Sequence, residues 1–198
     1  MSLSNCKNYS VGRFYLASQS PRRRELLAEA GLSFEVLLPD DGVEDDRGAN
    51  EPPIQYVCRQ ATQKARNVAG KIESGCVIAC DTVVCCGGEL LGKPSDKNDA
   101  RRMLKYLRGK KHQVISGLCV LTKKINKPEQ LKITSEKTEL IMQEITDQEI
   151  ESYLNTNSWK GKAGAFGYQD NNSWIKIIKG SESNVVGLPI EKLKEILQ

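Results

Sequence analysis

One carboxylate and a scattered set of cations stand out as residues that could do chemistry together. Asp81 interrupts an otherwise apolar stretch, VIACDTVVCC. A carboxylate there must be paired or lie at an exposed strand end, and strand ends are where α/β proteins place catalytic and metal-binding carboxylates. The alternative is an aspartate that closes a turn. Upstream, LASQSPRRRELL ends an apolar run in two serines, a proline and three arginines. Ser20 suits a helix N-cap and Pro21 the first helical position, so Arg22, Arg23 and Arg24 fall in a first turn. Helix N-termini carry positive partial charge and favour acidic neighbours. Three cations there repel the dipole and one another unless a polyanion offsets the cost. The turn reads as a phosphate cradle or as a solvated basic turn.

Further cations follow. Lys93 lies in LGKP, where Gly92 and Pro94 restrict the backbone. Gly87 to Lys93 imitates a P-loop, but Pro94 stands where serine or threonine would hold magnesium, so the P-loop is rejected. Arg59 and Lys64 are five residues apart, about 140° around a helix; they either flank an apolar face and reach one cleft from two sides or, the commoner case, lie on solvated helix edges. KAGAFGYQ carries Lys162, small residues that admit a ligand close to the backbone, and Gln169, whose amide offers a donor and an acceptor suited to a nucleobase edge. His112 is the sole imidazole, with no evident nucleophile beside it. Cations plus carboxylates suit metal-assisted chemistry on a polyphosphate.

The whole composition is compatible with that chemistry. The 198 residues carry a net charge of +4, too mild to imply nucleic-acid binding, and aromatics are only 6%, too scattered for a base-stacking surface. There is no membrane-length apolar run and no signal-peptide pattern, so the expected compartment is the cytoplasm, with no membrane partner. Seven cysteines are an odd count without a C-x-x-C pair, which argues against a disulfide framework or a zinc site and for small core hydrophobes.

The elements that must position these groups follow from periodicity. Residues 1–11 read as a loose polar leader and 12–198 as one domain. Strands are expected at Phe14–Ala17, Phe34–Leu38, Cys76–Cys86 with an interruption at Asp81 and Thr82, Glu89–Leu91, Val114–Thr122, Lys132–Gln143 and Trp174–Ile178. Helices are expected at Pro21–Ala30, Ile54–Ala69, from a Ser95 cap to near Gly109, at Asp147–Asn155 and at Pro189–Leu197. An acidic loop fills 39–53. The class is α/β or α+β, and the hairpin-like strands argue against a purely parallel sheet.

Taken in order, LASQSPRRRELL, CDTVV, LGKP, KAGAFGYQ and NVVGLP resemble the Maf family of nucleoside triphosphate pyrophosphatases, over nearly the whole chain from Leu16. The resemblance implies a twisted mixed sheet flanked by helices, of the Maf/inosine-triphosphatase-like kind, with two lobes around a nucleotide cleft. It implies hydrolysis of a nucleoside triphosphate to monophosphate and pyrophosphate, a divalent cation (magnesium or manganese) and a homodimer. Position by position it makes Asp81 the catalytic proton acceptor, with Glu44 as a second metal carboxylate. Arg22 becomes a substrate-contacting arginine with Arg23 its neighbour, and Lys64, Lys93 and Lys162 become basic groups near the phosphates. Ser18 and Ser20 fall in matched segments. Thr82 and Gln169 match positions that mark the branch acting on dTTP and UTP; the branch preferring 7-methyl-GTP carries acidic residues at both. Phe166, Tyr168, Ser116 and the stretch Gly180 to Ser183 depart from the family pattern and bear on fine substrate preference. A non-catalytic nucleotide-sensing regulator of septum formation is the rival; it would keep the arginines and Gln169 without needing Asp81.

Overall fold

The computed structural model describes residues 12–170 and 173–198, so the expected leader lies outside the described residues. Its frame is a mixed seven-stranded sheet: β1 (Phe14–Leu16), β2 (Glu35–Val36), β3 (Gly75–Cys86), β4 (Glu89–Leu91), β5 (Lys111–Lys123), β6 (Gln130–Met142) and β7 (Ile175–Lys179). The order is β2-β1-β3-β5-β6-β7, with β4 on β3. β1 pairs in parallel with β2 and β3, and every other pairing is antiparallel. The helices are α1 (Pro21–Glu29), α2 (Pro53–Gly70), α3 (Lys97–Leu107), α4 (Asp147–Asn155), α5 (Glu182–Val186) and α6 (Ile190–Ile196).

Period-2 alternation sorts the long strands between two faces. Cys76, Ile78 and Cys80 pack with Leu118 and Val120 among residues of α1 and α6. Val77 and Ala79 turn the other way, onto Ala61, Ala65 and Val68 of α2. Beyond residue 82 the same strands enter a second core, where Val84, Val114 and Leu140 pack with Met103 and Leu104 of α3 and Ile150 and Leu154 of α4. β3 and β5 thus run through two lobes, and Asp81 and Thr82, paired with Gly117 and Ser116, lie at the junction. Gly117 is required there. A Cβ would run into the backbone of Val57 and Cys58, so its absence is what lets α2 settle on the sheet.

The structure corrects several local expectations. β3 is not interrupted at Asp81 and Thr82, because both side chains find partners and the β5 ladder continues past them. The second strand shrinks to Glu35–Val36, since β1 offers it only a short edge. Asp96, not Ser95, caps α3 by accepting the Asp99 N–H. β5 begins at Lys111, which brings His112 into the sheet. α5 and the two 3-10 turns at Ala163–Ala165 and Tyr168–Asp170 were not expected, being too short to show a period. Of the described cysteines, all free, Cys76, Cys80, Cys86 and Cys119 are buried in the cores as anticipated, while Cys58 and Cys85 are half-buried. Among the described residues no helix is long and apolar enough to cross a membrane.

Candidate functional site

A cavity of 590 Å³ opens between the lobes. Its wall includes Ser18 to Arg23 at the start of α1, Glu44 and its loop, Lys64, Thr82, Lys93, and the segment from Lys160 to Gln169. Every expected site residue except Asp81 lines it. Asp81 stands just behind the wall, because Thr82 faces the cavity and alternation sends its neighbour toward α2.

There the Lys64 ammonium meets the Asp81 Oδ1 at 2.7 Å and also pairs with Glu44. Loop, helix and strand converge on one point. The loop is pinned to α2 by Asp40 on Lys71 at 2.7 Å and by Asp45 and Glu51 on Arg59. Of the two readings of Arg59, this decides against a second arm into the cleft. The acidic loop claims Arg59 on its own outer side, and only Lys64 reaches inward. Burial works to raise the Glu44 carboxyl, but Lys64, Lys93 and Arg23 outweigh it and hold it below its ordinary value.

The α1 turn is also more specific than its composition suggested. Ser20 occupies the N-cap position, yet its hydroxyl caps nothing, and the first turn holds no acidic side chain. Its N–H donates instead to the buried Ser18 Oγ at 3.2 Å. The helix start therefore faces the cavity with no side chain on its amides, the arrangement that receives anions. The arginines divide. Arg23 is spent on the protein: its guanidinium donates to the Gly187 carbonyl at 2.7 Å, and to Ser18 Oγ and Thr82 Oγ1 at 3.2 Å each. Thr82 Oγ1 also meets Ser116 Oγ at 2.9 Å. Among the described residues Arg22 makes one hydrogen bond, to the Gly161 carbonyl at 3.1 Å. Burial, and then the charge of Arg23, press its guanidinium below the ordinary value.

Lys162 is buried and held by Asp170, which also accepts from the Tyr153 hydroxyl at 2.6 Å. Burial lowers the Lys162 ammonium against the pull of that carboxylate. Lys93, by contrast, has no ion-pair partner among the described residues. Burial lowers it too, with Glu44 opposing. Gly92 beside it accepts the Gly164 N–H at 3.0 Å, tying the β4 exit to the KAGA turn. Gln169 is exposed at the rim.

From the sequence, Asp170 goes unmarked, and His112 is notable only as an imidazole with no nucleophile beside it. Asp170 had only its position next to Gln169 to mark it. His112 would have been found had the strand been started at Lys111, because His112 and Val114 then fall on the same face.

Residues 13–198 match the family model for Maf-like protein. The chain belongs to the Maf-like protein family. Its relatives include a dTTP/UTP pyrophosphatase of Rhodopirellula baltica, 44% identical over 92% of this chain and 80% of that protein. Another of that name, from Ruminiclostridium cellulolyticum, is 40% identical over 92% of this chain and 93% of its own length. A third, from Pyrococcus furiosus, is 35% identical and covers 94% of both chains. A solved nucleoside-triphosphatase / dITP/XTP pyrophosphatase from Mycobacterium abscessus aligns with a TM-score of 0.38 at 10% identity over 67% of this chain and 75% of its own. The Maf motifs named from the sequence thus fall inside the matched span, and all five contribute to the cavity wall. The CDTVV segment supplies both Thr82, on the wall, and Asp81, behind it.

Among the described residues no group of three or more histidine, cysteine, aspartate or glutamate side chains gathers to hold a metal. Asp81 and Glu44 nevertheless converge on one ammonium. Magnesium is commonly held by one or two carboxylates, with water and substrate phosphate completing its shell, and this pair fits that sparse protein share.

Proposed function

We propose that this Maf-family chain hydrolyses pyrimidine nucleoside triphosphates, dTTP and UTP, to the monophosphate and pyrophosphate. The observation that carries the reading is the convergence of Glu44, Lys64 and Asp81 at the edge of a cavity whose wall also holds the α1 start, Arg22, Lys93 and Lys162. The α1 amides and Arg22 bind phosphate oxygens, and Lys93 adds a charge with no ion-pair partner among the described residues to displace. Lys162 is a further phosphate ligand, reached in competition with Asp170. Arg23 and Ser18 act on the substrate indirectly, by fixing the turn on which Ser20 and Arg22 sit.

Asp81 is the proton acceptor. Its Oδ1 is engaged by Lys64, and its Oδ2 has no partner among the described residues, so Oδ2 is the atom that takes the proton from water. The water oxygen bonds to the α-phosphorus, the bond from that phosphorus to the bridging oxygen breaks, and pyrophosphate leaves with the electron pair. A divalent cation held by Asp81 and Glu44 would supply a lower water pKa and charge neutralisation. Gln169 meets the base from the rim, while Thr82 bears on specificity through its bond to Arg23. The domain 12–198 acts as one catalytic unit, and a homodimer and a cytoplasmic setting follow from the resemblance and the sequence.

The test is incubation of the protein with magnesium or manganese and a panel of nucleoside triphosphates, with pyrophosphate and orthophosphate measured separately. Pyrophosphate released mainly from dTTP and UTP supports the reading. Pyrophosphate from other bases keeps the reaction and discards the specificity. No turnover by folded protein returns the regulator.

A further inference from the structure

The cavity has a second end that phosphate does not explain. Val84 of β3, Val114 of β5, Leu140 and Met142 of β6 and Ile175 of β7 give it a hydrocarbon wall, and one polar side chain, His112, sits among them. On β5, His112 is opposite Leu140 and two residues before Val114, so all three present the same face. The imidazole is buried, 5% exposed.

Its hydrogen bonding fixes which atom the cavity meets. Nδ1 lies 3.2 Å from the Lys110 carbonyl oxygen. A carbonyl only accepts, so Nδ1 carries the hydrogen, and in the neutral ring Nε2 is then an acceptor. Burial keeps the ring neutral by lowering its pKa. Nε2 has no partner among the described residues, and it is not one of the sealed, unsatisfied polar atoms of the interior. It therefore opens onto the cavity. An acceptor in an apolar pocket selects a ligand that brings a donor, because an unmatched polar pair there loses its hydration with nothing in return.

We propose that His112 is a specificity-determining residue whose Nε2 accepts the imino N3–H of uracil or thymine at the apolar end of the cavity. The inference rests on the proposed pyrimidine nucleoside triphosphate substrate and adds the group that reads its base. Uracil and thymine carry a hydrogen on N3. Cytosine, of the same size, has a lone pair there and presents an acceptor to an acceptor. His112 thereby separates UTP and dTTP from CTP, which the cationic end cannot do, since all three share one triphosphate.

The experiment compares kcat/KM for UTP, CTP and N3-methyl-UTP by pyrophosphate release, in the unmodified protein, His112→Phe and His112→Gln. Phenylalanine keeps a ring and removes the acceptor, and the glutamine amide restores a carbonyl oxygen. In the unmodified protein UTP is expected to exceed both CTP and N3-methyl-UTP. His112→Phe should lower the UTP to CTP ratio by about 10- to 100-fold, and His112→Gln should recover part of it. A ratio unchanged in folded His112→Phe overturns the proposal while leaving the pyrimidine reading intact. Equal use of UTP and CTP by the unmodified protein overturns the role of His112 and the restriction to dTTP and UTP, while turnover confined to purine nucleotides would overturn the pyrimidine reading itself. N3-methyl-UTP needs no variant: turnover equal to that of UTP overturns the role of His112 even where the substitutions fail to fold.

Discussion

The two ends of the cavity are built on opposite principles. At the cationic end most of the charged groups are already engaged with the protein. Arg23 holds Gly187, Ser18 and Thr82, Lys64 holds Asp81 and Glu44, and Lys162 holds Asp170. At the apolar end, aliphatic walls do the shaping and one imidazole supplies the polarity. The difference follows from desolvation. Charges drawn together inside a protein repel or lose hydration unless partners are built in, whereas hydrocarbon packs without them. So the cationic end mixes residues proposed to bind substrate with residues that keep them in place, and residue type alone does not separate the two.

The largest test of that end is Asp81→Asn. An asparagine oxygen can still accept from Lys64, and Glu44 remains as a counter-charge, so the fold should persist. The proton acceptor is lost, and kcat should fall by about a thousand-fold, read by pyrophosphate release beside an unfolding curve. Near-normal turnover in this variant would remove Asp81 from the chemistry.

Arg22 and Arg23 sharpen the division within the same end. Arg23→Ala strips three bonds whose acceptors are protein groups, at a cost of about 2 to 4 kcal/mol, so its melting temperature should drop by several degrees along with activity. Arg22→Ala gives up one bond to Gly161 and should lose activity, about ten- to a hundred-fold in kcat/KM, with little change in melting temperature. Equal melting losses in the two variants would show that the arginines do not divide their work in this way.

The smallest expected effect concerns Lys93, which has no ion-pair partner among the described residues. Its pKa is lowered, chiefly by burial. Only the protonated form attracts phosphate, so KM should begin to rise below the ordinary lysine value of 10.5 as pH climbs. Lys93→Arg should shift that rise to higher pH, because the guanidinium holds its proton. A KM profile identical in both proteins would show that Lys93 does not contact the triphosphate.

Much of the frame was legible along the chain. Pro21, Gly31 and Gly70 bound α1 and α2, and alternating apolar positions mark the long strands, because these signals depend on neighbours within a few residues. The boundary of β5 was misplaced for the same reason. Lys111, His112 and Gln113 look polar in the sequence, and pairing with β6, joined at Gln113 by β3, draws them into the sheet. Asp81 illustrates the other limit. Its oddness in an apolar run was visible, but the run itself could not say whether the carboxylate ended a strand or was paired within one.

The sequence by itself determined the chemistry available: cations at a helix start, a lone aspartate in a strand, a small-residue segment ending in Gln169, in an order that marks the Maf family. The tertiary structure decided the partners. Glu44, Lys64 and Asp81 come from a loop, a helix and a strand, and Arg23 closes on Gly187, 164 residues away. His112 became part of a cavity only once β5 lay between β3 and β6. Local patterns are set by backbone geometry over a few residues. Which charge meets which carboxylate, and which polar atom is left facing open space, depends on how the faces of distant elements pack and on the desolvation cost of leaving any buried charge alone.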